Sequence, residues 1–343
     1  MGTGRALSRA AALLALMTAF TAAPGGGVAP RTAAASLRCT GARTMQPLLA
    51  DWAAAYSARH PDAPVQAPDL HRYSAGGVSD LLAGRAGCVS FAREPFPAEA
   101  AALRAQGRKL WLIPVARGSV ATPHGTFALA VIVARGNPLK RLDLAQLRAL
   151  FSGRLADGRP LERWGQLGLG GAWSKRRLHL YGMAPRRPDG NPPGIVNDLD
   201  LRVLRGVPWR TGLRVVDDRP GLSVLAGIVH AVGRDGDGIG YSGFGLLDAH
   251  VRAVPLARSA DAPAIAGTPA SIADGRYPLA RRIYLGFAAM HDRPLAPTAC
   301  AFLAYVLGRA GQAAVGGHAM HFLPLTPRQR IGARALRVRA CAP

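Results

Sequence analysis

The sequence predicts an α/β protein built as two lobes behind an N-terminal leader. Three observations carry this expectation. The chain has 343 residues of which 49% are hydrophobic, enough for two cores of ordinary size. Short apolar runs alternate with segments whose apolar residues recur every three or four positions. The opening stretch has the composition of an export signal.

The leader comes first. Arg5 and Arg9 give a basic start, Ala10 to Ala23 form an apolar run containing Leu13, Leu14, Leu16 and Phe20, and small residues follow. That run is shorter than the roughly 20 residues a membrane-spanning helix needs, so removal and release in soluble form are expected. Cleavage after Ala23 or after Ala35 fits the small-residue rule. The second is preferred, which makes residues 1–35 the signal peptide and places the mature chain in the periplasm or outside the cell. Cys39 is a poor lipid anchor, because Ser36-Leu37-Arg38 puts a bulky cation before it.

Lys and Arg number 43 against 20 acidic residues, a formal net charge of +23. Such a field concentrates anions and draws nucleic acid or acidic lipid without specificity. The arginines are scattered singly, without interleaved aromatics, so no specific nucleic-acid partner is expected. A codon bias toward Arg and Ala accounts for the charge equally well. Cys39, Cys88, Cys300 and Cys341 are an even set in an exported chain, so disulfides are expected, and three pairings connect them. The favoured one joins Cys300 to Cys341, pinning the tail to a helix, and leaves Cys39 with Cys88. No C-x-x-C occurs, and no metal is expected.

Along the chain, Leu37-Arg38-Cys39 reads as a strand and Gly41 to Thr44 as a turn. Leu48, Leu49, Trp52, Ala53 and Tyr56 mark a helix that Thr44 can cap and His60-Pro61 stops. Val65 to Leu70 is the next strand, Ser74 to Leu82 a short helix, and Cys88 to Phe91 a third strand. The alternation predicts a parallel sheet covered by helices. Leu110 to Val115 and Phe127 to Val133 are strands, the latter of the fully buried kind. Leu144 to Phe151 is helical, Leu178 to Gly182 extended, Asp198 to Leu204 and Ser223 to Val232 helical. Gly238 to Tyr241 and Arg282 to Phe287 are strands, Cys300 to Gly308 a helix and Phe322 to Leu325 extended. The basic tail Arg328 to Arg339 is either helical or loosely held.

Several of these pieces together resemble the phosphate-binding periplasmic proteins of ABC importers, within the type II solute-binding protein superfamily. They are Gly41 to Pro47, Ser74-Ala75-Gly76-Gly77-Val78, Ser90-Phe91-Ala92-Arg93-Glu94, Ile113 to Ala116, Asn137-Pro138-Leu139, Leu144 to Gly153, Gly238-Ile239-Gly240-Tyr241 and Tyr277 to Arg281. Each is weak alone; in family order over Leu37 to Leu325 they are specific. The resemblance implies a periplasmic-binding-protein-like type II fold of two α/β lobes with a hinge. Lobe 1 is expected from residues 36–117 plus 255–343 and lobe 2 from 118–254, with hinge strands near Arg117 to Thr126 and near Gly243 to Pro255. It further implies a monomer that captures a small oxyanion, phosphate or phosphate-like, for the membrane component of an ABC transporter, without catalysis and without a cofactor.

A desolvated oxyanion needs directed donors in place of water, and backbone N–H groups at helix starts supply them. Three places have that form: Ala42 to Thr44, Ser74 to Gly77 and Asp189 to Gly194. The ligand set implied is Arg43, Thr44, Ser74, Ser90, Arg93, Arg187 and Asn191, with Arg187 as a planar two-pronged partner. Taken singly, Thr44, Ser74 and Ser90 are as well explained as caps or strand ends, and Arg187 and Arg93 as surface cations. Two departures from the family pattern stand out. Asn191-Pro192-Pro193 replaces a Ser-Gly-Thr run, losing hydroxyls and N–H groups, and Ala92 stands where a proton-accepting carboxylate is expected. Both bear on ligand choice, since buried groups left unpaired are what reject a wrong ligand. The alternative reading is a degenerate relative acting as an exported sensor, scaffold or adhesion protein.

Other motifs carry little. Gly238 to Gly243 satisfies G-x-G-x-x-G but follows the polar stretch Arg234 to Asp237, the wrong context for a dinucleotide loop. His318 and His321 share a helical spacing, and His291 lies elsewhere, without the partners a metal needs. No G-x-S-x-G nucleophile elbow occurs.

Overall fold

The computed structural model describes residues 36–342 except 69–72, 122–127, 189, 191 and 218. The expected leader, residues 1–35, and the expected ligand Asn191 lie outside the described residues. In chain order the first half holds β1 (Leu37–Gly41), α1 (Gln46–Ser57), β2 (Val65–Gln66), α2 (Ser74–Leu82), β3 (Cys88–Phe91), α3 (Pro97–Ala105), β4 (Arg108–Arg117), β5 (Leu129–Ala134), β6 (Leu142–Asp143) and α4 (Leu144–Ser152). The second half holds β7 (His179–Gly182), α5 (Gly194–Leu199), β8 (Arg214–Val215), α6 (Val224–Arg234), β9 (Gly238–Gly243), β10 (Val251–Ala253), β11 (Leu256–Ala257), α7 (Pro269–Ala273), β12 (Arg282–Met290), α8 (Pro297–Val306), α9 (Arg309–Gly317) and α10 (Pro327–Cys341).

Two five-stranded sheets result, ordered β2-β1-β3-β12-β4 and β10-β5-β9-β7-β8, with a small β11-β6 pair. They are mixed rather than parallel. β1 pairs parallel with β2 and β3, and β7 with β8 and β9, but β12 returns late in the chain to run antiparallel between β3 and β4. In the second sheet β5 runs antiparallel to β9 and β10. The G-x-G-x-x-G run is β9 itself, buried at every position, and not a loop.

Each sheet has its own core. Trp52, Phe287, Phe302 and Phe322 pack with the first; Phe151, Trp164, Tyr241 and Tyr277 pack with the second. The expected boundary at 255 falls within a stretch that packs with the second sheet. Leu256, Ile272, Tyr277 and Leu279 all pack in the second core, because β10 pairs with β5 and β11 with β6 and so hold the chain there. The chain returns to the first sheet only at β12. The expected hinge strand near Gly243 to Pro255 is therefore interior to the second lobe, and the return crossing runs through residues 279–282. It lies beside the outward crossing: Gly118 N–H donates to the Arg281 carbonyl at 3.2 Å, and Leu129 N–H to that of Leu279 at 3.3 Å. Arg117, only 3% exposed, clamps the two bodies. Its guanidinium donates to the carbonyls of Ile272 (2.7 Å) and Ala273 (2.6 Å) on one side and Pro324 on the other.

Local chemistry explains the elements nearest the cleft. α1 starts with Pro47 in its first turn, where a missing N–H costs nothing. It buries Leu48, Leu49, Trp52 and Tyr56, and Trp52 Nε1 donates to the Gly311 carbonyl at 2.9 Å. Thr44 does not cap it; a 3-10 turn, Arg43–Met45, leads in without a side-chain cap. α2 sits tight on β1 and β3 because Gly41 and Gly77 have no side chain. Gly41 has φ +125°, and a Cβ there would lie 2.4 Å from the Ser90 carbonyl oxygen, while one on Gly77 would lie 2.8 Å from the Gly41 Cα.

Cys300 and Cys341 form the expected disulfide, tying α8 to α10. α10, which the sequence left open, is a helix opened by Thr326, whose hydroxyl accepts from Gln329 N–H. Cys39 and Cys88 are not bridged, contrary to expectation. They face each other across the β1–β3 pair, fully buried, and burial together with the contact to Cys88 raises the Cys39 thiol well above its ordinary range. As neutral thiols they serve as small apolar core residues.

Candidate functional site

The candidate site is a cavity of ≈ 590 Å³ lined by residues from both lobes. It opens at the carboxyl ends of β1, β3 and β7, the edge where open α/β sheets place ligands. Five of the seven expected ligand residues line it: Arg43, Thr44, Ser74, Arg93 and Arg187. Asn191 falls outside the described residues. Ser90 does not line the cavity. It is fully buried within β3, and its hydroxyl donates to the Thr40 carbonyl at 3.4 Å, which makes it part of the strand pairing.

Thr44 is the most informative member. Its hydroxyl oxygen is buried and has no hydrogen-bond partner, although buried hydroxyls are nearly always satisfied. Position on the cavity wall makes a bound acceptor its natural partner. Ser74 behaves differently, because its Oγ already accepts from Ala92 N–H at 3.4 Å. Its proton is then left to donate into the cavity. α2 starts at Ser74, and Gly77 N–H is the first to reach back to Tyr73, so the N–H groups before it belong to an unpaired first turn.

Four arginines line the cavity and no carboxylate does so among the described residues. They are not equivalent. Arg93, 7% exposed, is committed elsewhere: Nη2 meets Glu99 Oε1 at 2.6 Å, Nη1 meets Oε2 at 2.8 Å, and its guanidinium lies 3.5 Å from the Phe96 ring centroid. A two-pronged ion pair thus occupies the fork of Arg93, although its side chain lines the cavity. Arg43 and Arg187 are exposed, and neither has an ion pair among the described residues. Arg281 was absent from the sequence-derived ligand set. It is 2% exposed at the return crossing, lines the cavity, and donates through Nη2 to the Ala92 carbonyl at 2.9 Å. Its only trace in the sequence is the last position of Tyr277 to Arg281. Asn197, also missed, bridges the lobes by donating from Nδ2 to the Glu94 carbonyl at 2.9 Å.

The second lobe presents a different surface. Met183, Pro192, Pro193, Ile195 and Leu225 line its side, and Phe96 and Tyr73 stand on the other. Among the described residues no group of three or more His, Cys, Asp or Glu is placed to hold a metal ion.

This geometry is a two-lobed cleft with a cationic floor, and comparison with known proteins agrees with it. Residues 27–181 match the family model described as a PBP superfamily domain. The chain is 29% identical over 282 residues to the phosphate-binding protein PstS of Pseudomonas aeruginosa, covering 82% of the present chain and 80% of the relative. Among solved structures, an ABC-type phosphate transport receptor from Vibrio cholerae superposes with a TM-score of 0.52 at 17% identity, over 85% of this chain and all of that one. PstS from Borrelia burgdorferi gives 0.51 at 14% identity, over 85% of this chain and 99% of that one. At such identities the two structures speak to the fold, which is the two-lobed periplasmic-binding-protein fold.

Proposed function

We propose that this protein is a solute-binding protein of the PBP superfamily that captures an oxyanion, phosphate or phosphate-like, between its lobes and delivers it to an ABC importer. The observation that carries the reading is the buried, partnerless Thr44 hydroxyl on a cavity wall shared with Ser74 and Arg281. These groups are the donors that an anion stripped of water requires. The relatedness to PstS supports phosphate itself as a ligand.

Arg43, Thr44, Ser74, Arg187 and Arg281 form the proposed ligand set, with the unpaired N–H groups at the start of α2. The proposed lobes are 36–117 with 282–342, and 118–281. Closure turns on the crossings beside Arg117 and Gly118 and at 279–282, and such hinge closure around a ligand excludes water. The chain acts as a monomer, outside the cytoplasm, without catalysis.

Titration calorimetry of the purified protein with inorganic phosphate tests this. One-to-one binding, weakened by Arg281→Lys because an ammonium cannot replace the planar fork, is the expected result. Absence of heat with phosphate, sulfate and organic phosphates alike would leave the exported sensor or scaffold as the reading.

A further inference from the structure

We infer that the oxyanion this cleft takes carries an apolar substituent: an alkyl or aryl phosphonate, or a phosphate monoester with such a group. The inference rests on the oxyanion reading above and adds the shape of the ligand to it.

The donors are segregated. Arg43, Thr44 and Ser74 belong to the first lobe and Arg281 to the crossing, so all the proposed side-chain ligands but Arg187 hold a head group from one side. The facing wall is Met183, Pro192, Pro193, Ile195 and Leu225, broken by Arg187 at the exposed rim and by Gly194. The two prolines have no N–H to offer, and the Met183 N–H is already donated to the Tyr241 hydroxyl at 3.0 Å. An inorganic tetrahedral anion presents oxygen in every direction. On this wall donors come only from Arg187 and the first-turn N–H groups of α5, so an oxygen turned toward the Met183 and Leu225 side chains would lose water to carbon. A carbon substituent at that position removes the conflict and gains apolar burial.

Two independent observations agree. Tyr73, on the cavity rim, is 74% exposed and offers a flat apolar face to a substituent. The cavity of ≈ 590 Å³ far exceeds the volume of a bare tetrahedral anion, which is on the order of two water molecules at about 30 Å³ each.

The test is a set of titrations of the wild-type protein with inorganic phosphate, methylphosphonate, butylphosphonate and phenylphosphonate, repeated with Leu225→Ser and Met183→Ser. Affinity should rise along the series, with phenylphosphonate at least about tenfold tighter than phosphate. Either substitution should shrink that ratio by roughly tenfold, as a polar atom in an apolar subsite does. Phosphate binding as tightly as phenylphosphonate would overturn the inference and leave the oxyanion reading intact. A tail preference that survives both substitutions would overturn the assignment of this wall. Binding of no member of the series would remove both readings together.

Discussion

The Arg93 guanidinium and the Glu99 carboxylate meet at 2.6 Å with their side chains only 9% and 12% exposed. This pair holds Arg93 at the cavity wall. Glu99 also accepts from Phe96 N–H at 2.7 Å, closing the first turn of α3 and fixing the segment that carries Ala92 past the cavity. Glu99→Ala should therefore destabilise the protein by about 3–5 kcal/mol, because it leaves a buried guanidinium without its anion. Denaturant unfolding would measure this, and a loss below about 1 kcal/mol would contradict the assignment.

Thr44→Val separates ligand chemistry from folding. The Thr44 hydroxyl is buried without a partner, so an isosteric methyl should leave the unliganded protein unchanged or stabilise it by about 1 kcal/mol. The same change should weaken oxyanion binding by at least about tenfold, the worth of a hydrogen bond to a charged group. Melting without ligand and titration with it check the two halves; a destabilised variant with intact affinity would reverse the reading.

Asp235 predicts a pH dependence. It sits beside His179 Nδ1 at 2.7 Å and accepts from the Tyr181 hydroxyl at 2.9 Å and Arg214 at 3.2 Å. Burial pushes its carboxyl up, but the hydrogen bonds from His179 and Tyr181 outweigh burial and hold it below its ordinary value. A lowered folded value means that the stabilisation is present above the ordinary carboxylate range, about pH 4, and is lost as pH falls through the folded value. Asp235→Asn should cost about 1.5–3 kcal/mol at pH 7, and the gap to wild type should narrow between about pH 5 and pH 3. A gap independent of pH would exclude this account.

The disulfide closes a sequence separation of 41 residues. Loop-closure entropy values it at about 4 kcal/mol, with measured cases commonly 2–4. Cys300→Ser with Cys341→Ser should lower stability by that amount, and hydrogen exchange should quicken first in α10, whose end it anchors. Cys39→Ala with Cys88→Ala should cost only core packing and leave exchange in α10 unchanged.

Much of the architecture was legible because it rests on local pattern. The apolar spacing of Leu48, Leu49, Trp52 and Tyr56 gave α1, and Cys88 to Phe91 gave β3 to the residue. α3 was missed although Pro97 and Glu99 mark its first turn, and its absence hid the partner of Arg93. Strands of two residues, such as β6, β8 and β11, have no period to read. The lobe boundary depended on which sheet the chain joins after Val254, a long-range pairing that no local spacing encodes. Arg281 is one arginine among many in sequence; only its burial beside Ala92, 189 positions away, sets it apart. The same holds for Ser90, whose type suggested a ligand while its strand pairing keeps it from the cavity.

The most direct test of an oxyanion held between the lobes is thermal unfolding of the mature protein with and without inorganic phosphate and phenylphosphonate, in wild type and Arg281→Ala. At about 100 times the dissociation constant a bound ligand adds about 2.7 kcal/mol to the native state. The account predicts a melting temperature that climbs with ligand concentration in wild type and a climb lost or strongly reduced in Arg281→Ala. A melting temperature indifferent to every oxyanion, or a rise that Arg281→Ala leaves intact, would contradict it.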